Sequence, residues 1–127
     1  MRTSLCVAVV EQYIDAYNHF DVESMLALMH EGVRFCHMSG QQVGAEADGI
    51  EAFRELAEQA RDMFESRHQK ILRWTIDEVT LVLDLEYEGV LRHDMPHGHK
   101  AGSHIKFSGQ SEFCIQDGKI WRLTDRS

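Results

Sequence analysis

The sequence predicts an α+β domain in which a curved antiparallel sheet and three N-terminal helices enclose a pocket. Three observations carry this reading. Through the first half of the chain, apolar residues recur every three or four positions, the spacing that lays one helix face on a core. From Gln69 onward the period falls to two, and four strands follow with no helix between them. Finally, His37, Ser111 and Asp125 interrupt inward rows that are otherwise apolar. A polar group on a core face costs a few kcal/mol unless it is bonded or wetted, so such groups bond one another or face a cavity.

The first helix runs from Ser4 to about Phe20, with Thr3 or Ser4 as cap and a stripe of Leu5, Val9, Tyr13, Ala16, Tyr17 and Phe20. Asp21 caps a short second helix that buries Val22, Met25, Leu26 and Met29 and ends at Gly32. Val33 to Met38 alternates as a strand, with His37 on the same face as Val33 and Phe35. The glycine-rich stretch Ser39 to Gly49 reads as a loop. Asp48 and Glu51 then form a capping box for a third helix, whose buried face carries Ile50, Phe53, Leu56, Ala57, Ala60, Met63 and Phe64.

In the second half, Leu72, Trp74 and Ile76 alternate with Ile71, Arg73 and Thr75, and Asp77-Glu78 makes the turn. Val79, Leu81, Leu83, Leu85 and Tyr87 face inward on the next strand. A long loop, His93 to Ser103, leads to a strand with Ile105, Phe107, Gly109, Ser111, Phe113 and Ile115 inward. Asp117-Gly118 is a two-residue hairpin signal. The last strand puts Trp121, Leu123 and Asp125 on one face.

With 127 residues, 43% hydrophobic and 27% charged, the chain suits one domain spanning residues 1–127 with one core and room for a cavity. A net charge of −8 argues against nucleic acid as partner, since phosphate binding needs clustered Lys and Arg. The apolar run Leu5 to Val10 is too short for a membrane span and merges into helical periodicity, so no membrane is expected. Three cysteines, Cys6, Cys36 and Cys114, suit neither a disulfide framework nor a metal site and point to a reducing cytoplasm.

His93, His97, His99 and His104 with Asp94 have ligand-like spacing, but glycine-flanked loop histidines more often stay solvated, so no metal or other cofactor is expected. The same loop would suit a lid over the pocket mouth, where His93 reaches a ligand.

The segment Val10 to Met29, VEQYIDAYNHFDVESMLALM, resembles the first two helices of the nuclear transport factor 2-like superfamily, which has a cystatin-like conical fold. GIEAFRELAEQ resembles its third helix and GQSEFCIQDGKIWRLTD its closing hairpin. The superfamily includes ketosteroid isomerases, SnoaL-like polyketide cyclases and limonene epoxide hydrolases. By this resemblance Tyr13 falls at the oxyanion-binding tyrosine of the isomerases, His37 at their carboxylate base, and Ser111 at their protonated carboxylic acid. Asp125 falls near the acid/base aspartate of the cyclases. Only the tyrosine matches the isomerases by type, and the Asp-Arg-Asp set of the epoxide hydrolases has no match among the inward positions.

Together these readings imply a cofactor-free acid/base enzyme, of isomerase, cyclase or dehydratase type, acting on an apolar carbonyl compound. His37 would be the base, since an imidazole titrates near neutral pH. Asp125 would hold its ring or act as an alternative acid/base, and Tyr13 would donate to the developing oxyanion. Tyr17, one turn from Tyr13, competes for that role. Leu56, Leu81, Leu83, Phe107, Phe113 and Leu123 would wall the pocket, with His93 and Ser111 adding polar contacts to the ligand.

Three plainer readings stand beside it. His37 could be a structural histidine, Tyr13 core packing, and Asp125 a solvated residue near the end. The alternative function is a non-catalytic binder of a small apolar ligand; a third is a filled scaffold. The outer sheet face carries Asp84, Glu86, Lys106, Gln110, Glu112 and Arg122. Superfamily members pair through this face, so a wet, charge-matched homodimer is expected.

Overall fold

The computed structural model describes residues 2–95 and 98–127. Its elements follow in the order α1 (Arg2–Asn18), α2 (Val22–Ala27), β1 (Met29–Ser39), β2 (Gln42–Asp48), α3 (Ile50–Met63), β3 (Phe64–Asp77), β4 (Thr80–Leu91), β5 (His104–Gln116) and β6 (Lys119–Arg126). The six strands form one sheet in the order β2-β1-β6-β5-β4-β3. Among the described residues no helix is long and apolar enough to cross a membrane.

The sheet is mixed rather than antiparallel. β1 and β6 run parallel, with Phe35 opposite Leu123 and His37 opposite Asp125, while every other pair is antiparallel. Alternation in sequence cannot reveal this, because side chains alternate between faces whichever way the neighbouring strand runs. An N-terminal hairpin and a C-terminal four-stranded meander meet along β1 and β6.

Several boundaries differ from expectation for local reasons. α1 stops at Asn18, and Phe20 adopts φ 58° in the turn to Asp21. Asp21 caps α2 by accepting from the Ser24 amide at 3.1 Å, as expected, but α2 is only six residues long and Met29 already opens β1. The segment expected as a loop contains β2. Gly40 at φ 64° turns the chain back on itself, and Gln42 to Asp48 pairs with β1.

Asp48 therefore ends a strand, and no capping box forms. Gly49 is the N-cap of α3 and offers no side-chain cap, and its amide donates to Val33 O at 2.7 Å. β3 begins directly at Phe64, five residues before the expected Gln69. A bulge between Ile71 and Arg73 turns Leu72 out of the inward row, leaving it 54% exposed. At the last hairpin Asp117 and Gly118 both take positive φ, 54° and 75°, as a type I′ turn requires.

The core lies between the helices and the concave face of the sheet. Val10, Ile14, Met25 and Phe53 from the helices meet Leu81, Leu83, Leu85, Phe113 and Leu123 from the strands. Each fully buried large side chain contributes roughly 1.5–3 kcal/mol. Asn18 ties the end of α1 to β3: its amide donates to Gln69 O at 3.1 Å, and its oxygen accepts from the Gln69 amide at 2.7 Å.

Candidate functional site

Where the sheet curls away from α1 and α3, a cavity of about 360 Å³ remains, within the range of small-molecule sites. Tyr13, Tyr17, His37, Leu56, Phe107 and Asp125 line it together. These residues come from five different elements, which the curvature of the sheet brings to one place.

The remaining expected residues lie elsewhere. Leu81, Leu83, Phe113 and Leu123 face inward but are sealed in the core, at 0–1% exposure, and form no part of the cavity wall. They belong to the core cluster beneath the helices, where the Tyr13 ring packs edge-on to Phe113 at 5.5 Å. His93 is exposed in the loop after β4, away from the wall. That loop folds on itself, with the Ala101 amide on Asp94 Oδ1 at 2.8 Å. His104 bonds Glu88 at 2.8 Å instead of joining the loop histidines. His97 lies outside the described residues, and among those described no group of three His, Cys, Asp or Glu gathers as a metal site.

Asp125 is the polar centre. It stands on β6 between His37 of β1 and Ser111 of β5 in one cross-strand row. The Ser111 hydroxyl donates to Asp125 Oδ1 at 2.6 Å, and the Tyr87 hydroxyl lies 3.2 Å from Ser111 Oγ. The partner of His37 is the hydroxyl of Ser127, 3.0 Å from Nε2. Asp125 therefore takes its hydrogen bond from a serine, and His37 stands opposite it across the strand pairing.

Loss of water around the carboxyl raises its pKa from 3.8 to about 6, against the opposing pull of the Ser111 bond and of His37. Asp125 is the one carboxylate among the described residues lining the cavity.

The tyrosines are held neutral. Burial raises Tyr13 well above its ordinary value, and the nearby Asp125 charge adds to this. Burial also raises Tyr17, opposed by the Arg67 guanidinium. Tyr87 is raised by burial and by Asp125. At neutral pH all three hydroxyls can donate.

Among the wall residues that escaped sequence reasoning are Arg67 and Gln69 on β3. Both are buried, at 7% and 5% exposure. Arg67 Nε donates to Tyr17 O at 3.1 Å, and its guanidinium stacks 3.7 Å from the centre of the Tyr17 ring and 4.6 Å from that of Phe20. Its two terminal nitrogens and Gln69 Oε1 have no hydrogen-bond partner. The signal was present, since Arg67 and Gln69 share the parity of inward-facing Ile71. It becomes legible only once the strand is known to start at Phe64. Arg67 and Asp125 line the same cavity, but Gln69 is no second carboxylate, so the Asp-Arg-Asp set is incomplete.

The SnoaL-like domain family matches residues 10–123. No curated protein matches in sequence. Among solved structures, the chain is similar to a candidate polyketide cyclase from Xanthomonas campestris pv. campestris, at 23% identity and TM-score 0.84, covering 100% of this chain and 93% of that one. It is similar to an LEH-like epoxide hydrolase of M. tuberculosis at 15% identity and TM-score 0.77, covering 97% and 82%. A Catenulispora acidiphila protein with a ketosteroid isomerase-like fold, in complex with trimethylamine, aligns at 14% identity and TM-score 0.76, covering 92% and 82%. At these identities the likeness is one of fold.

Proposed function

Because the chain belongs to the SnoaL-like domain family, within the nuclear transport factor 2-like superfamily, we propose that it is a cofactor-free acid/base enzyme acting beside the carbonyl of a mostly apolar small molecule. The observation that carries this reading is Asp125: a carboxyl in an apolar cavity, bonded by Ser111, with a proton affinity raised to about 6. A base poised there is ionised at neutral pH yet basic enough to take a carbon-bound proton.

In the proposed reaction the Asp125 carboxylate removes the proton from the carbon next to the carbonyl. The C–H electron pair becomes the C=C bond of an enolate, the carbonyl π pair moves onto oxygen, and that oxygen is held by the Tyr13 hydroxyl. Asp125 then returns the proton to another carbon, giving an isomer, or protonates the oxygen formed when the enolate attacks a second carbonyl, closing a ring. A positioned base contributes roughly 10²–10⁴ in rate, and one preorganised donor about 3–4 kcal/mol. The role first expected of His37 passes to Asp125. His37, opposite it in register, opposes in part the rise that burial imposes on the carboxyl.

In solvent deuterium, wild-type protein is expected to catalyse exchange at the α-carbon of 2-tetralone, a ketone that exchanges slowly by itself at neutral pH, and Asp125→Asn to lose it. Full exchange by Asp125→Asn would overturn the assignment. The apolar wall of Leu56, Met63, Phe64 and Phe107 also suits the second reading, a non-catalytic binder. That reading predicts ligand binding without exchange in the wild type. We further propose a homodimer through the outer sheet face.

A further inference from the structure

Arg67 presents a problem that the proposed chemistry leaves unsolved. A guanidinium carries five N–H donors and remains charged in proteins. Here Nε is used, while both terminal nitrogens are buried without an acceptor, beside a Gln69 oxygen in the same condition. Burial works against the charge and lowers its pKa. The Tyr17 and Phe20 rings compensate in part through cation–π contact. The terminal nitrogens still lack an acceptor within hydrogen-bond distance, and buried groups left in this state call for a partner. Asp125 is not that partner: no bond joins the two side chains, and strands β5 and β4 lie between β6 and β3.

We propose that Arg67 and Gln69 form a carboxylate-binding subsite at the β3 side of the cavity, so that the substrate is an apolar keto acid. This rests on the reading of Asp125 as the base. A carboxylate against the planar guanidinium takes both terminal nitrogens as a bidentate pair. Turning the Gln69 amide over by half a turn replaces its orphan oxygen with an N–H aimed at the same anion.

Three inter-strand steps separate β6 from β3, about 14 Å along the sheet at roughly 4.8 Å each and less across a concave face. A ligand of one or two fused rings spans that gap, with its carboxylate at Arg67 and its reactive carbonyl between Tyr13 and Asp125. Tyr13 feels both the Asp125 and the Arg67 charge, which fits a place between the two ends. The surrounding wall, with Tyr17, Phe64 and Tyr87, suits a flat ring system.

The test is calorimetric binding of 2-naphthoate, its methyl ester and 2-naphthol to the intact protein. Wild type is expected to bind the acid about tenfold or more tighter than the ester. Arg67→Met should abolish that preference, and Asp125→Asn should retain it. Equal affinity for acid and ester in the wild type, failure to bind the acid, or a preference that survives Arg67→Met would each overturn the subsite. The wild-type acid and ester comparison decides alone if the variant does not fold. Failure of the Asp125 chemistry would show separately, as unchanged exchange by Asp125→Asn. Inorganic phosphate as competitor serves as a further arm. Displacement of 2-naphthoate by phosphate at equal concentration would make this a general anion site and overturn the keto-acid assignment.

Discussion

The Ser111 hydroxyl donates to Asp125 Oδ1 at 2.6 Å across the β5–β6 pairing. With its one hydrogen committed to the carboxylate, Ser111 can only accept from Tyr87, 3.2 Å away. The chain of bonds therefore runs from Tyr87 through Ser111 to Asp125 and ends on negative charge. It steadies the ionised form of a carboxyl that its surroundings would otherwise hold protonated.

Removing that donor should raise the Asp125 pKa further. Ser111→Ala is expected to move the midpoint upward from about 6, and His37→Ala to do the same, since both groups lower it. Carboxyl-carbon NMR titration of each variant measures this; a midpoint that falls in either would contradict the network.

Asp125 also makes stability depend on pH with a definite sign. Its folded pKa, about 6, lies above the unfolded value of 3.8, so the folded state holds the proton more tightly. The benefit is fully present below about pH 4 and is lost as pH rises through about 6. Asp125→Asn should thus gain stability over wild type between pH 4 and pH 8, by at most about 3 kcal/mol at 1.36 kcal/mol per unit. Urea unfolding at the two pH values checks it, and a variant that loses ground at pH 8 would refute it.

Gly109 lets β6 and Tyr87 approach β5. A Cβ there would lie 2.6 Å from Arg126 O and 3.1 Å from the Tyr87 ring. Gly109→Ala should cost about 1–3 kcal/mol through forced shifts and displace Tyr87 from Ser111. Denaturant midpoints and the Asp125 titration together test this, and an unchanged pair would show that the approach is slack.

The outer sheet face carries charges of both signs. Arg34 and Arg122 flank a groove on β1 and β6, while Arg126 pairs with Glu112, Arg73 with Asp84 and Lys106 with Glu86. Two copies meeting there about a two-fold axis would exchange part of these exposed pairs across the seam. A dimer at low salt that loosens at high salt is the expected result in sizing experiments. A monomer at high protein concentration in both would exclude it.

Much of this architecture is readable from alternation and turn residues. Leu81 to Tyr87, the Asp117-Gly118 hairpin and the face of α3 follow directly from spacing, while the β3–β4 turn falls at Glu78-Val79, one residue later than Asp77-Glu78. Strand direction does not, which is why the β1–β6 pairing differs from expectation. β2 escaped because its small residues, Gly44, Ala45 and Ala47, lack the β-branched and aromatic types that mark strands. Asp125 stood out as a polar break in an apolar row. Arg67 and Gln69 did not, because helix α3 passes into β3 without a loop, and no punctuation marks where period 3.6 becomes period 2.

The measurement that bears most directly on the central claim needs no substrate: the carboxyl-carbon NMR titration of Asp125 in the wild-type protein. A midpoint at about 6 is the predicted result, and places a proton carrier of near-neutral affinity in the cavity. A midpoint at or below the ordinary 3.8 would mean that water or a cation reaches the carboxyl, and would contradict the account of Asp125 as the acid/base group.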